Sequence, residues 1–455
     1  MNLAAQRVVF RATSRLTEIA PVWGARLLDS TLRPVLGSRA LGALLARGTR
    51  SALRRTRGLR RFLVVPDIHI GDAVMTESAL GAVRDFFPDA EIDYAVNRTV
   101  APIIEGHPDA TRVLPIFSGA QFPVAADVEG LSEVIRTGAY DLVLSFGPYM
   151  DVEQVAPRAQ PFVSFMTHAP TLVRNESDRS QVNHFSWQYY QFVREILGTV
   201  ARPERGGAYP RSRTTLSEEA IGGAARFARQ AGLAGRSGVV MVNPDGACRY
   251  NVLPFEDQAA LLALLAQRTA PDVAILLGAG HSQRGIGERL LRAMPAPLAA
   301  RVRIIPPVLP LDAYVALIDY ADVFITGDTG PLHLAAARRH ARSGRHRFRN
   351  RTAVLSLFGA TMSRMSGYDS TRPGYLAANQ DAPSWCYVAP SRCRNITCLN
   401  KYFKTCGTVR CFERTDVAGL ADLVASHLRG VAAPGSVEAG PLRAGVPVML
   451  EPAAV

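Results

Sequence analysis

Two stretches, far apart in the chain, carry residue types that could bind a phosphate and take up a proton. The later one reads Thr326-Gly-Asp-Thr-Gly-Pro-Leu-His-Leu-Ala-Ala336. Val323 to Thr326 are apolar or β-branched and predict a short buried strand, and 327–330 turn the chain. Pro331 is expected at the first helical position, where its fixed φ and missing N–H are tolerated. A helix starting there points unpaired N–H groups past the strand's carboxyl end, which suits a phosphate or pyrophosphate. Asp328, Thr329 and His333 add polar groups at the same mouth, beside Gly330. The earlier stretch reads Pro66-Asp-Ile-His-Ile-Gly-Asp-Ala-Val-Met-Thr76. Gly71 would let a ligand approach the backbone, and a carboxylate at Asp72 can accept the proton of a hydroxyl nucleophile. Each loop also has a plainer reading, with Asp328 or Asp72 as the N-cap of an ordinary strand–helix connection.

Holding two such loops face to face takes two sheets. Strands are predicted at 62–65, 92–96, 113–117 and 142–144, with a helix over 72–87 and further helical segments at 131–136 and 184–197. A Pro- and Gly-bearing linker over 198–213 separates them from a second alternation. There, strands at 239–242, 273–277, 302–305, 323–326 and 353–358 interleave with helices at 217–231, 255–267, 285–294 and 311–320, and 353–358 closes the sheet. A last helix covers 417–428. Strands alternating with helices imply parallel sheets covered on both faces. Two consecutive doubly wound domains leave a cleft between the carboxyl ends of their strands, where ligands bind in such sheets. Gly278-Ala-Gly280 opens like a dinucleotide fingerprint, but position 283 is Gln, so it reads as a tight turn.

At 455 residues the chain is too long for one ordinary core. Its hydrophobic share of 48% and charged share of 20% describe a globular protein. No uninterrupted apolar run is long enough for a transmembrane helix, and the start lacks a signal-peptide pattern, so a cytoplasmic location is expected. The net charge of +13 is concentrated near one end: residues 1–61 hold thirteen Arg and no Lys against Glu18 and Asp29. Over 1–57, Arg alternates with apolar groups at roughly helical spacing. Such basic amphipathic helices could lie on an anionic membrane surface, or pack on the first domain or a partner subunit. Nucleic acid is not expected, because no aromatic-interleaved basic groove or nucleic-acid motif is present. The division is therefore 1–57 basic extension, 58–213 first α/β domain, 214–429 second α/β domain, and 430–455 a tail rich in Ala, Pro and Gly that reads as disordered.

With both loops in hand, the chain resembles glycosyltransferase family 9, the ADP-heptose transferases of bacterial surface glycans. His69-Ile-Gly-Asp-Ala-Val-Met-Thr76, Phe87-Pro-Asp-Ala-Glu-Ile-Asp93, Thr326 to Ala336 and Leu357-Phe-Gly-Ala-Thr361 carry the resemblance, over about residues 60–425. It implies a GT-B fold of two Rossmann-like domains facing a central cleft, an inverting mechanism, and no metal in the chemical step. Asp72 would deprotonate the acceptor hydroxyl. Gly71, Thr329, Gly330 and Pro331 would shape the diphosphate site, Asp328 would contact the donor sugar, and His333 would line the same pocket. The resemblance points to transfer of heptose or a related sugar from a nucleotide-sugar donor to a membrane-linked glycan or lipopolysaccharide, reached as a peripheral protein of the inner membrane. Another nucleotide sugar, or a non-catalytic membrane-associated protein of the same fold, remains open.

Three departures stand out. Gly246-Ala-Cys-Arg-Tyr-Asn251-Val-Leu-Pro254 places Asn251 where the family has a Lys, leaving Arg249 as the nearby cation that could face the phosphates. Residues 338–351 hold seven Arg, two His and no acid. That run reads as a solvated loop, or as one whose Arg342, Arg345 and Arg347 grip an anionic acceptor or the membrane. Cys393, Cys398, Cys406 and Cys411 form a C-x4-C-x7-C-x4-C pattern that could hold structural Zn or Fe, stay as free thiols, or pair.

Overall fold

The computed structural model describes residues 58–119, 124–147, 162–165, 182–205, 209, 212–246, 248–278, 283–307, 309–343, 348–359, 363–390 and 410–432. The expected basic extension, the tail and most of the Cys pattern lie outside them.

The first sheet is built from β1 (Arg61–Val65), β2 (Glu91–Asn97), β3 (Arg112–Phe117), β4 (Leu142–Ser145) and β5 (Phe162–Ser164), all parallel, in the order β3-β2-β1-β4-β5. Its main helices are α1 (Ile70–Phe86), α2 (Ala125–Gly138) and α3 (Phe185–Leu197). In α1, fourteen of seventeen residues are buried. Its small and apolar side chains therefore serve a helix covered on nearly every side rather than an amphipathic surface helix. The sheet covers one side and α3 another, where Ser78 Oγ donates to the Ser186 carbonyl at 2.6 Å.

A short strand, β6 (Arg213–Leu216), then leads into the second domain, whose helices are α4 (Glu218–Gln230), α5 (Phe255–Arg268), α6 (Ile286–Ala293), α7 (Leu311–Ile318), α8 (Gly330–Ala336) and α9 (Val417–Ala432). Its strands are β7 (Val239–Val242), β8 (Ala274–Gly278), β9 (Val302–Ile305), β10 (Val323–Gly327), β12 (Ala353–Phe358) and β13 (Ser384–Val388). They form a parallel sheet in the order β13-β12-β10-β7-β8-β9, the doubly wound arrangement read twice in the sequence. The sheet does not close at 353–358 as expected: β13 adds one more strand, with Trp385 opposite Leu355 and Tyr387 opposite Leu357.

The basic run is not a solvated loop throughout. Residues 338–341 form β11 (Arg338–Ala341), paired in parallel with β6. Arg339 is fully buried there, its Nε 2.6 Å from Asp319 Oδ1, with Nη1 donating to the carbonyls of Ala337 and Leu334. A buried guanidinium needs such a carboxylate, because desolvating an unpaired charge costs several kcal/mol.

β6 is also where the chain passes between the sheets. The Arg213 N–H donates to Glu77 Oε2 on α1 at 2.6 Å, and His107 Nε2 lies 3.5 Å from the same oxygen. Glu77 is buried, and burial raises its carboxyl above the usual range. One apolar cluster runs from Phe62, Val64 and Val74 of the first domain to Phe324, Leu332 and Leu334 of the second. Among the described residues, no helix is long and apolar enough to cross a membrane.

Candidate functional site

The strand orders reverse between β1 and β4 in one sheet and between β7 and β10 in the other, so each domain has one topological switch point. The two predicted loops leave from these points. Residues 66–69 follow β1, and Gly147, beyond β4, presses against them: a Cβ there would lie 3.2 Å from Asp67 Cα. Residues 243–246 follow β7, and 328–329 follow β10.

The N-cap of α1 is His69, and Asp72 occupies the third helical position with its side chain 30% exposed. The N-cap of α8 is Thr329, with Gly330 the first helical residue and Pro331 the second. The N-cap reading of both aspartates is therefore corrected: the helices begin one residue after Thr329 and two residues before Asp72. At either position the Pro331 ring sits within the first turn, where no intrahelical N–H bond is lost.

The two helix starts touch. A Cβ on Gly71 would lie 2.5 Å from His333 Cδ2 and 3.5 Å from Gly330 Cα, and one on Gly330 would lie 3.1 Å from Ile70 Cβ. The structure thus brings Gly71, Asp72, Thr329, Gly330, Pro331 and His333 into one neighbourhood, as the sequence predicted. His333 is 4% exposed, so it forms the wall between the domains rather than an open pocket lining. Its Nδ1 lies 3.0 Å from Tyr368 Oη, and the His184 ring is 4.6 Å from the Tyr368 ring. Burial lowers His333 to about 4 and His184 to about 3, while it raises the Tyr368 phenol. All three are neutral near pH 7.

Asn251 has a job the sequence did not suggest. Its carbonyl accepts the Asp328 N–H at 3.0 Å, and its Nδ2 donates to the Asp328 carbonyl at 2.7 Å. The amide is spent on holding the β10–α8 loop instead of facing the cleft as a stand-in for the family's Lys. Asn243 supports the same loop, donating from Nδ2 to Thr326 Oγ1 at 3.0 Å and to the Asp245 carbonyl at 2.8 Å. Thr326 Oγ1 and Thr329 Oγ1 are 3.1 Å apart. Arg249 belongs to a short 3₁₀ turn, Arg249–Asn251.

Arg342 is engaged by the first domain. Its Nη1 is 3.2 Å from Glu105 Oε2, its Nε donates to the Glu105 carbonyl at 3.2 Å, and its Nη2 bonds the Pro102 carbonyl. It ties the second domain to the first, because the strand pairing of β11 carries it over that turn. Arg345 and Arg347 lie outside the described residues, as do Cys393, Cys398 and Cys406. Cys411 is buried beside Phe412.

Sequence reasoning missed Asn243, Thr326, Tyr368, His184, Asp67 and His69. Asn243 had a usable signal, since it is the first residue after β7, where a switch-point ligand site is expected. Tyr368 and His184 had none, because only tertiary packing brings them to His333.

Residues 226–342 match the model of Glycosyltransferase family 9 (heptosyltransferase). This stretch, inside the second α/β unit, resembles a family 9 glycosyltransferase domain. The match contains the later of the two loops, and it bears out the resemblance and the assignment as a glycosyltransferase. Two solved structures are similar to the whole architecture. One is the E. coli ADP-heptose LPS heptosyltransferase II, at 14% identity and a TM-score of 0.53, covering 82% of this chain and 98% of that one. The other is a glycosyl transferase family 9 protein from Veillonella parvula DSM 2008, at 16% identity and a TM-score of 0.57, with the same two coverages. At these identities the likeness speaks for the fold, and it is the expected GT-B arrangement. No curated protein sequence matches the chain.

Proposed function

We propose that the chain is an inverting glycosyltransferase that moves heptose, or a related sugar, from an ADP-heptose-type donor to a cell-surface glycan or lipopolysaccharide. The observation that carries this is the contact of Gly71 with His333 and Gly330, which sets the Asp72 loop against the Asp328–Pro331 loop at the two switch points. Asp72 takes the proton of the acceptor hydroxyl as its oxygen attacks the anomeric carbon. The bond from that carbon to the diphosphate breaks, and the diphosphate leaves with the electron pair. The backbone N–H groups at Thr329 and Gly330, with Arg249, stabilise that developing charge. Asp328, held by Asn251, meets the donor sugar. The family's chemistry needs no cofactor.

In this reading the acceptor is membrane-linked, and the basic residues 1–57 bring the protein to an anionic cytoplasmic membrane surface. Residues 58–213 form the acceptor-side domain and 214–429 the donor-side domain. The experiment is thermal stability with ADP-heptose, ADP and a panel of UDP- and GDP-sugars, followed by transfer assays with Asp72→Asn. A ligand that binds only the folded state raises the midpoint. The expected result is a saturable shift with ADP-heptose exceeding that with ADP, and loss of transfer but not of donor binding in Asp72→Asn.

A second reading is favoured by one observation. Asn251 replaces a cation and is occupied by Asp328, which fits a different donor or a binding protein without turnover. A larger shift with another nucleotide sugar selects the first of these; no shift with any of them selects the second.

A further inference from the structure

Beside the proposed base stand two residues to which the scheme above gives no part. His69 Nδ1 lies 3.8 Å from Asp72 Oδ2 and 3.7 Å from Asp67 Oδ1, and one donor atom from each of the three falls within 4.8 Å of the others. The row is built rather than incidental. Asp67 Oδ1 also accepts the Ile68 N–H at 2.7 Å, Asn97 Nδ2 holds the Ile68 carbonyl at 3.0 Å, and Gly147 packs against Asp67 Cα. His69 is itself the N-cap of α1, so its backbone is fixed relative to Asp72 three residues on.

Among the described residues, two buried tyrosines near the row are neutral. Tyr94 on β2 and Tyr189 on α3 both sense the Asp72 charge, and burial raises each phenol well above its ordinary value. Tyr94 is further engaged by the Ala73 carbonyl. Across the cleft, His333 is neutral and Asp328 is the nearest acid acting on it. His69 stands at a distance from which its charge acts on Asp72.

We propose that His69 is a positioning residue for Asp72: when protonated, its charge keeps the Asp72 carboxylate ionised and aimed into the cleft. An opposite charge at this distance lowers a carboxylate's pKa by about one to three units. The side chains of His69 and Asp72 are 41% and 30% exposed, so screening puts the effect at the low end. The inference rests on the reading of Asp72 as base, but its principal test does not need turnover.

The full chain is labelled with ¹³C at the Asp carboxyls, and the Asp72 resonance is identified as the one missing from Asp72→Asn. In His69→Gln, which keeps a hydrogen-bonding side chain without the charge, the Asp72 titration midpoint rises by about one unit. In His69→Lys it returns toward the wild-type value. Once a donor is in hand, the acidic limb of kcat/KM moves up with the midpoint in His69→Gln, while the donor KM and the thermal midpoint stay in place. An Asp72 midpoint that is unchanged or lower in His69→Gln overturns the proposal. Turnover that survives Asp72→Asn instead overturns the base reading, while the titration still decides the role of His69.

Discussion

Asn251 holds both backbone polar groups of Asp328, its carbonyl accepting the N–H at 3.0 Å and its Nδ2 donating to the carbonyl at 2.7 Å. The side-chain half of this grip can be removed alone. Losing one hydrogen bond of this kind costs about 1 kcal/mol, or roughly fivefold in an equilibrium. Asn251→Ala should therefore weaken donor binding about fivefold, read by calorimetry with the nucleotide diphosphate, with little change in the unfolding midpoint. Asn251→Asp should bind more weakly still, since it removes the donor and adds a negative charge beside a diphosphate.

Gly71 has no room for a side chain, because the ring that would meet its Cβ is itself buried. Gly71→Ala should fold but hold the two helix starts apart, because its Cβ meets the His333 ring on α8. A displacement of about 1 Å at a reacting centre can cost about a hundredfold in rate. The expected result is a fall in kcat of that order, measured by steady-state transfer.

Arg339 and Asp319 make a buried pair at 2.6 Å, with side chains 0% and 8% exposed. Burial raises Asp319 while Arg339 opposes the shift. Removing one partner leaves the other charge stranded, so Arg339→Ala should cost about 3–5 kcal/mol in urea unfolding. Replacing both with apolar residues of similar size, as in Arg339→Met with Asp319→Leu, should recover much of that loss.

His184 and His333 set a pH dependence. Their folded values of about 3 and about 4 lie below the ordinary histidine value near 6.5, because burial disfavours the cation. The unfolded chain therefore binds more protons over this window. Stability is full above about pH 6.5 and falls as pH drops towards 4. Calorimetric midpoints at pH 7 and pH 5 check this. His184→Asn, which keeps an acceptor for the Ser186 N–H now held at 3.2 Å, should show a shallower decline.

The alternation of strands and helices was legible because buried parallel strands are near-continuous apolar runs. Phe62 to Val65 and Val323 to Ile325 are each 0% exposed, and nothing local contradicts them. The two loops were legible because Gly, Asp, Thr and Pro at a strand-to-helix turn carry their own geometry. β13 was not, since Ser384–Val388 mixes polar and aromatic residues and is held by pairing with a strand about thirty residues earlier. β6 and β11 were hidden for the same reason: seven arginines read as solvent-facing until a distant carboxylate and a distant strand take two of them in. The partners of His333 and Asp328 come from residues 35 and 77 positions away, a range at which local pattern says nothing.

Glu77 gives the arrangement a mechanical consequence. The strand that carries the chain from one sheet to the other is pinned to α1 only five residues beyond Asp72. At 1.5 Å per residue that is a lever arm of roughly 7.5 Å. A rotation of about 10° about this fulcrum would move the base by only about 1.3 Å, on the scale of an attacking oxygen's approach, while sweeping the outer edges of the two sheets several times further. Any hinge motion between the two sheets that pivots here would leave the carboxylate nearly in place while the rim moves most.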